Sequence, residues 1–284
     1  MSDVRHIDLQ SGIRIEYEEA GAGSRPFVLV HGFTGSRDDW REHIPALSEL
    51  GRTIAPDQRG HGGSSNTGDA ATYSLDQLVD DLEAILSGLG IDTCDLLGHS
   101  MGGMVVVRFA LARPERVSSL ILMDTSARGV EAVPREMMEI AVRLVKASGM
   151  SALAKLMREG ARSDDAIAPS TQRAIEAMGP ELWWGRIEAK LENMDPAAFQ
   201  SLSQELWQQE SMLPRLGEIR CPTTVIVGAE DQPFLEPTAE LASGIPGAMR
   251  IDIPDAAHSP QLENPEPWID AIRSHLDRVR PGTG

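Results

Sequence analysis

The stretch Leu96-Leu97-Gly98-His99-Ser100-Met101-Gly102-Gly103 constrains this chain more than any other, because it sets a serine between two glycines where an apolar run meets a helical pattern. Cys94 to Gly98 reads as a buried strand, and Met101 to Arg113 as a helix stopped by Pro114. When a strand turns sharply into a helix through Gly-x-Ser-x-Gly, the serine takes a strained backbone conformation. A Cβ at Gly98 or Gly102 would then collide with neighbouring backbone. The same turn lifts the Ser100 hydroxyl clear of the sheet edge and aims the first helical N–H groups at it, where negative charge is favoured. Ser100 is therefore a candidate nucleophile with half an oxyanion site beside it.

A chain of 284 residues suits one domain carrying an insertion. Hydrophobic residues make up 41% and no apolar run approaches about 18 residues, so neither a membrane span nor a disordered chain is expected. The net charge of -17, from 43 acidic against 26 basic residues, repels phosphates and anionic lipid heads. That argues against nucleic acid or a membrane as partner and is read as a solubility device. Met1-Ser2-Asp3-Val4-Arg5 leads into polar residues without an apolar signal core, so a cytoplasmic location is expected. Cys94 and Cys221 each open an apolar run with no Cys-x-x-Cys nearby and read as free thiols rather than a disulfide or metal site.

Residues 5–9 and Ile13 to Glu19 predict two short strands around Ser11-Gly12, an antiparallel edge to a larger sheet. Phe27 to Val30 is a continuous apolar run, expected of a strand covered on both faces, and it ends in His31-Gly32-Phe33-Thr34-Gly35-Ser36. Trp40, Ile44, Leu47 and Leu50 predict an amphipathic helix closed by Gly51, and Arg52 to Pro56 the next strand. The glycine-rich loop Asp57 to Ser64 is not a phosphate loop, since no helix of that type follows and the lysine is missing. Ser74 with Gln77 caps a helix whose Leu75, Leu78, Val79, Leu82, Ile85, Leu86 and Leu89 share one face. Ser119 to Met123 is another buried strand, ending at Asp124. Strand and helix in alternation predict a parallel sheet with helices on both faces, and functional residues at the carboxyl ends of its strands.

From Arg128 to Arg215 no strand signal appears, and helical segments are punctuated by Gly149, Gly160, Pro169, Pro180 and Pro196. Seven of the 12 methionines and three of the five tryptophans fall there, which suits an adaptable apolar surface over a cavity. An all-helical insert between two strands reads as a cap, giving a core over residues 1–127, a helical cap over 128–215 and the rest of the core over 216–284. Trp183 and Trp184 are its candidate substrate-binding residues; adjacent on a helix, they point about 100° apart, so at most one faces the cavity. Strands resume at Thr223 to Val227 and Met249 to Ile253, and a last helix turns Trp268, Ile269, Ile272, Leu276 and Val279 inward. Only Pro281 to Gly284 reads as frayed.

A serine hydroxyl needs a base to remove its proton, and histidine is suited to that work at neutral pH. Of seven histidines, His6 and His275 read as lying on exposed elements and His43 on the polar side of a helix. His31, His61 and His99 sit in glycine loops. His258 stands apart, past a strand end in Pro254-Asp255-Ala256-Ala257-His258-Ser259-Pro260. The carboxylate that fixes its tautomer is first Asp231, in Gly228-Ala229-Glu230-Asp231, with Asp124 the serious alternative and Glu230 a weaker one. The second oxyanion donor would come from the loop after a central strand; Phe33 N–H is the candidate, paired with Met101 N–H.

Through His31-Gly32-Phe33, Asp57-Gln58-Arg59-Gly60-His61-Gly62, Gly98-His99-Ser100-Met101-Gly102-Gly103, Gly228-Ala229-Glu230-Asp231 and His258, the chain resembles the α/β-hydrolase superfamily over essentially its whole length. The resemblance implies an eight-stranded, mostly parallel sheet, a cap inserted after the sixth strand, no cofactor and no metal, and the triad order Ser100, Asp231, His258. Phe33-Thr34-Gly35-Ser36 and Gly62-Gly63-Ser64 look like the menaquinone-pathway synthase branch. Asp57 to His61 and the Ser-Met-Gly-Gly turn look like esterases, enol-lactone hydrolases and cofactor-free perhydrolases. Haloalkane dehalogenases and epoxide hydrolases of this fold attack with aspartate, where this chain has serine. The meta-cleavage C–C hydrolases usually carry Asn before the serine, where this chain has His99. The expected function is a serine hydrolase of a small carboxylic ester or lactone, acting as a monomer or homodimer through an acyl-enzyme. The alternatives are a C–C hydrolase or lyase using the same triad, and a ligand receptor built on this fold.

Overall fold

Alternation along the central strands decides which helices each side chain meets. A computed structural model describes residues 2–161 and 167–280; the tail Pro281 to Gly284, expected to fray, lies outside the described residues. Eight strands form one sheet: β1 (Asp3–Asp8), β2 (Arg14–Ala20), β3 (Phe27–Val30), β4 (Thr53–Pro56), β5 (Cys94–His99), β6 (Val117–Met123), β7 (Thr223–Gly228) and β8 (Met249–Ile253). Their order is β1-β2-β4-β3-β5-β6-β7-β8, with β2 antiparallel to both β1 and β4 and every later pair parallel. This is the mostly parallel eight-stranded sheet that the resemblance implied.

Successive residues of a strand face opposite sides, and the two faces have separate cores. Val28, Val30, Leu96, Leu120, Leu122, Val225 and Val227 pack under α2 (Leu75–Gly88), α3 (Met101–Ala112) and α9 (Gln232–Gly244). Phe27, Leu29, Leu97, Ile121, Met123 and Ile226 pack on α1 (Ile44–Glu49) and α11 (Pro265–Val279), around Trp268. Covering both faces explains why these strands read as largely apolar runs, β3 without a break. Each fully buried Leu, Ile or Val contributes about 1.5–3 kcal/mol of transfer free energy. Between β6 and β7 the chain forms α4 (Arg135–Ser148), α5 (Met150–Gly160), α6 (Pro169–Met178), α7 (Pro180–Glu192) and α8 (Pro196–Gln208). A short α10 (Pro260–Glu263) follows β8. No helix among the described residues is long and apolar enough to cross a membrane.

The helix expected from Trp40 to Leu50 is split into a 3-10 turn at Arg37–Trp40, capped by the Ser36 side chain, and α1. Two histidines are also more deeply placed than the pattern suggested. His275 lies on the inward face of α11, with Nε2 at 2.9 Å from Ser119 Oγ and Nδ1 at 2.8 Å from Thr224 Oγ1. His43 precedes α1 and its Nε2–H donates to the Gln261 carbonyl at 2.7 Å. In both cases strand or loop polar groups give the imidazole partners that a helical wheel does not show.

Candidate active site

Ser100 stands between β5 and α3 with φ 52° and ψ −119°, a conformation that L residues rarely hold without surrounding constraint. The constraint is backbone. A Cβ on Gly98 would come within 2.5 Å of the Gly102 carbonyl, and one on Gly102 within 2.5 Å of the His31 carbonyl and onto that of Val30. Ser100 N–H donates to Met123 O at 2.9 Å and Thr125 Oγ1 to Ser100 O at 2.6 Å, so β6 and its following loop hold the turn from the other side.

His258 arrives in the loop after β8, and Asp231 in the loop after β7. Glu230 N–H donates to Ala256 O at 2.8 Å, which ties the two loops together. Asp231 Oδ2 accepts from His258 Nδ1 at 2.8 Å, leaving Nε2 to accept the Ser100 hydroxyl at 3.0 Å. The imidazole side chain is 42% exposed while the Asp231 side chain is 5% exposed, so the ring is reachable from solvent and its carboxylate is not. Phe234 stacks on the ring with centroids 4.8 Å apart. His99 Nε2–H donates to the His258 carbonyl at 2.7 Å, and burial, with His258 next to it, pushes the His99 pKa down to about 3. It is therefore a neutral strut under the His258 loop. The residue before Ser100 read as part of a glycine turn; its reach across the sheet edge could be found only in three dimensions.

Gly32 runs against the serine, since a Cβ there would lie 3.1 Å from Ser100 Cβ. Phe33 follows Gly32 in the chain, and among the described residues neither the Phe33 nor the Met101 N–H has a hydrogen-bond acceptor. The Phe33 ring stacks on Phe199 of α8, centroids 5.2 Å apart, so a helix from between β6 and β7 reaches the edge of the site.

Asp124 ends β6 and does not bond His258; its Oδ1 accepts Gly228 N–H at 2.8 Å. Asp124, Asp231 and His258 each place one ligand atom within 4.8 Å of the others. That is metal-ligand spacing, but His258 Nδ1 is already engaged by Asp231. Ser100 is not among the residues that line the cavity Trp183 faces. Trp183 is buried and lines a cavity of about 120 Å³ with Ile187, Lys190, Leu262 and Ser259, the neighbour of His258. Trp184 packs instead on the Ala174, Ile175 and Trp183 cluster. Across that cavity Lys190 Nζ meets the buried Asp39 at 2.6 Å, and despite its burial Asp39 is held below the usual carboxylate range by this ammonium. Neither residue carried a motif in the sequence.

The strained serine turn, the bonded histidine and acid, and the strand order agree with a family model for the alpha/beta hydrolase fold, which matches residues 25–265. The chain belongs to the α/β-hydrolase family. Among similar α/β-hydrolase structures, a thermophilic esterase from Thermogutta terrifontis is 30% identical with a TM-score of 0.81, covering 98% of this chain and 99% of that one. A putative 2-succinyl-6-hydroxy-2,4-cyclohexadiene-1-carboxylate synthase of Bacillus subtilis is 28% identical over 96% of this chain and 98% of its own length. The dihydrolipoyllysine-residue acetyltransferase component of the acetoin cleaving system of Pseudomonas putida is 32% identical over 88% of this α/β-hydrolase chain, which spans 63% of that protein's length.

Proposed function

We propose that this α/β-hydrolase cleaves a small carboxylic ester or lactone through an acyl-enzyme. The observation that carries this reading is the continuous line Ser100 Oγ, His258 Nε2, His258 Nδ1, Asp231 Oδ2, with steps of 3.0 and 2.8 Å. His258 takes the Ser100 proton as the oxygen attacks the carbonyl carbon. Phe33 and Met101 N–H groups receive the charge on the carbonyl oxygen, and His258 returns the proton to the leaving alkoxide. Water activated by the same imidazole then releases the acid. No cofactor enters this scheme. The segment 128–215 acts as a cap that excludes water and contacts the acyl group, with Trp183 as its cavity-facing tryptophan. Likeness to the Thermogutta esterase supports the ester side of the reading.

Turnover of p-nitrophenyl acetate and butyrate, with fluorophosphonate labelling, tests it. Wild type should turn over and label at Ser100. Ser100→Ala and Asp231→Asn should each lose about 10⁴-fold or more in turnover with the fold intact. Labelling at another serine would end the assignment. The match to the Bacillus synthase over nearly its full length favours one second reading, a C–C hydrolase or lyase in which His258 protonates carbon or abstracts a substrate proton. A panel of esters, lactones and β-diketones separates the two. Absence of all turnover with retained binding would mark a receptor.

A further inference from the structure

Asp124 is a buried carboxyl without a counter-charge. It sits at φ 46° at the end of β6, fully buried. Oδ1 accepts the Gly228 N–H, and the buried Oδ2 has no hydrogen-bond partner among the described residues. What the Asp124 carboxyl has nearby is a second carboxylate, since one ligand atom each of Asp124, Asp231 and His258 lies within 4.8 Å of the others. Two ionised carboxylates that close, one of them out of water, repel strongly, and a proton on one of them converts repulsion into a hydrogen bond. Burial first, and then Asp231, hold the Asp124 carboxyl well above the usual range. Asp231 needs such a donor. Among the described residues its carboxylate accepts from His258 alone, a single bond about which the carboxylate could turn away from the imidazole.

We propose that Asp124 is a positioning residue: protonated at Oδ2, it donates a hydrogen bond to Asp231 and so holds that carboxylate in line with His258 Nδ1. The proposal rests on the reading of Ser100, His258 and Asp231 as a triad. It also accounts for the presence of acids at the ends of both β6 and β7. One serves as the charged partner of the histidine and the other as its neutral support. The remaining titratable groups around the pair come from five elements. Glu230 lies beside Asp231 after β7, and Asp255 beside the His258 loop after β8. Glu263 of α10 accepts Ala257 N–H and is raised by burial, and His99 of β5 has its ring 5.0 Å from that of His258. Arg173 of α6 pairs with Glu230 and Asp255 at 3.5 and 3.2 Å. None of these donates to Asp124.

Asp124→Ala and Asp124→Asn should be measured beside Ser100→Ala and Asp231→Asn, as kcat/KM against pH, with competent sites counted by fluorophosphonate labelling. Alanine removes a hydrogen bond to a charged group, so kcat per labelled site should fall about tenfold to a hundredfold. Its acidic limb should move to higher pH, because Asp231 without a donor is a stronger partner for imidazolium. Asparagine keeps one acceptor for Gly228 and one donor for Asp231, and should recover most of the lost rate and the wild-type limb. A limb that moves to lower pH in the alanine variant would mean that Asp124 carries charge. An unmoved limb would mean that it only fills space, and a dead asparagine variant beside a mild Asp231→Asn would make Asp124 the acting acid. Each overturns the proposal while leaving the serine hydrolase reading in place; turnover by Ser100→Ala would remove that reading, and the proposal with it.

Discussion

The central strands and the helices between β6 and β7 are built to different tolerances. Every residue of β3, β4, β5 and β7 is buried, whereas α4 buries only Met138 and Val145 and leaves Met137 and Ile140 exposed. Backbone strain follows the same division. The non-glycine residues with positive φ are Thr34, Ser100, Asp124 and Asp255, all in loops of the sheet and none in α4 to α8 among the described residues. A strained conformation persists only where its surroundings over-determine it. A sheet packed on both faces supplies that, and a layer of half-exposed helices does not. The difference teaches where chemistry can be held to fractions of an ångström and where a chain is free to vary its lining.

The sharpest break of this comparison is at Gly102. An alanine there meets the Val30 and His31 carbonyls of a strand end that has nowhere to move. Gly102→Ala should cost about 2–4 kcal/mol in denaturant unfolding and abolish fluorophosphonate labelling. Retained labelling would show that the turn tolerates what its geometry forbids.

Acid sensitivity should also reside in the sheet region. Burial lowers His31 and His275 to about 4 and His61 and His99 to about 3, and no histidine occurs in residues 128–215. With folded values below the ordinary one near 6.5, the unfolded chain binds more protons as pH falls, so this stability is complete above about 6.5 and is lost toward about 4. Buried carboxyls such as Asp124, raised rather than lowered, act with the opposite sign. His275→Gln removes one histidine contribution and leaves theirs. Its unfolding free energy should therefore fall less than that of wild type between pH 7.5 and 5, and an equal fall would refute the assignment.

In the helical segment the effects should be smaller and directed at selection. Trp183→Ala should change the ratio of kcat/KM for short against long acyl esters by an amount worth about 1–3 kcal/mol, and Trp184→Ala should mainly lower thermal stability, by opening a hole in the packing of the Ala174, Ile175 and Trp183 cluster. Equal behaviour of the two variants would mean that the cavity beside Ser259 takes no acyl group. Smallest of all is Gly185, in the middle of α7 with nothing within 4 Å of an added Cβ. Gly185→Ala should raise stability by about 0.5–1 kcal/mol with activity unchanged, the opposite sign to Gly102→Ala.

Much of this molecule is written locally. Short apolar runs mark the buried strands because covering both faces leaves few polar positions, and β3 and β8 begin and end where the sequence placed them. The serine turn is equally local, since Gly98 and Gly102 are needed within one tight crossing of backbone. What only the tertiary structure decided is which distant groups converge on that turn. β6 and β7 are neighbours, and both end in a loop with an aspartate, so the chain order put Asp231 first but left Asp124 as an alternative. The path of the loop after β8 does, by bringing His258 Nδ1 to Asp231 and leaving Asp124 behind it, without a charge partner. The contacts of His99, Lys190 and Phe199 escaped notice for the same reason. Their partners, the His258 carbonyl, Asp39 and Phe33, lie between 151 and 166 positions away in the chain, and contacts at that separation are fixed by packing rather than by any local pattern.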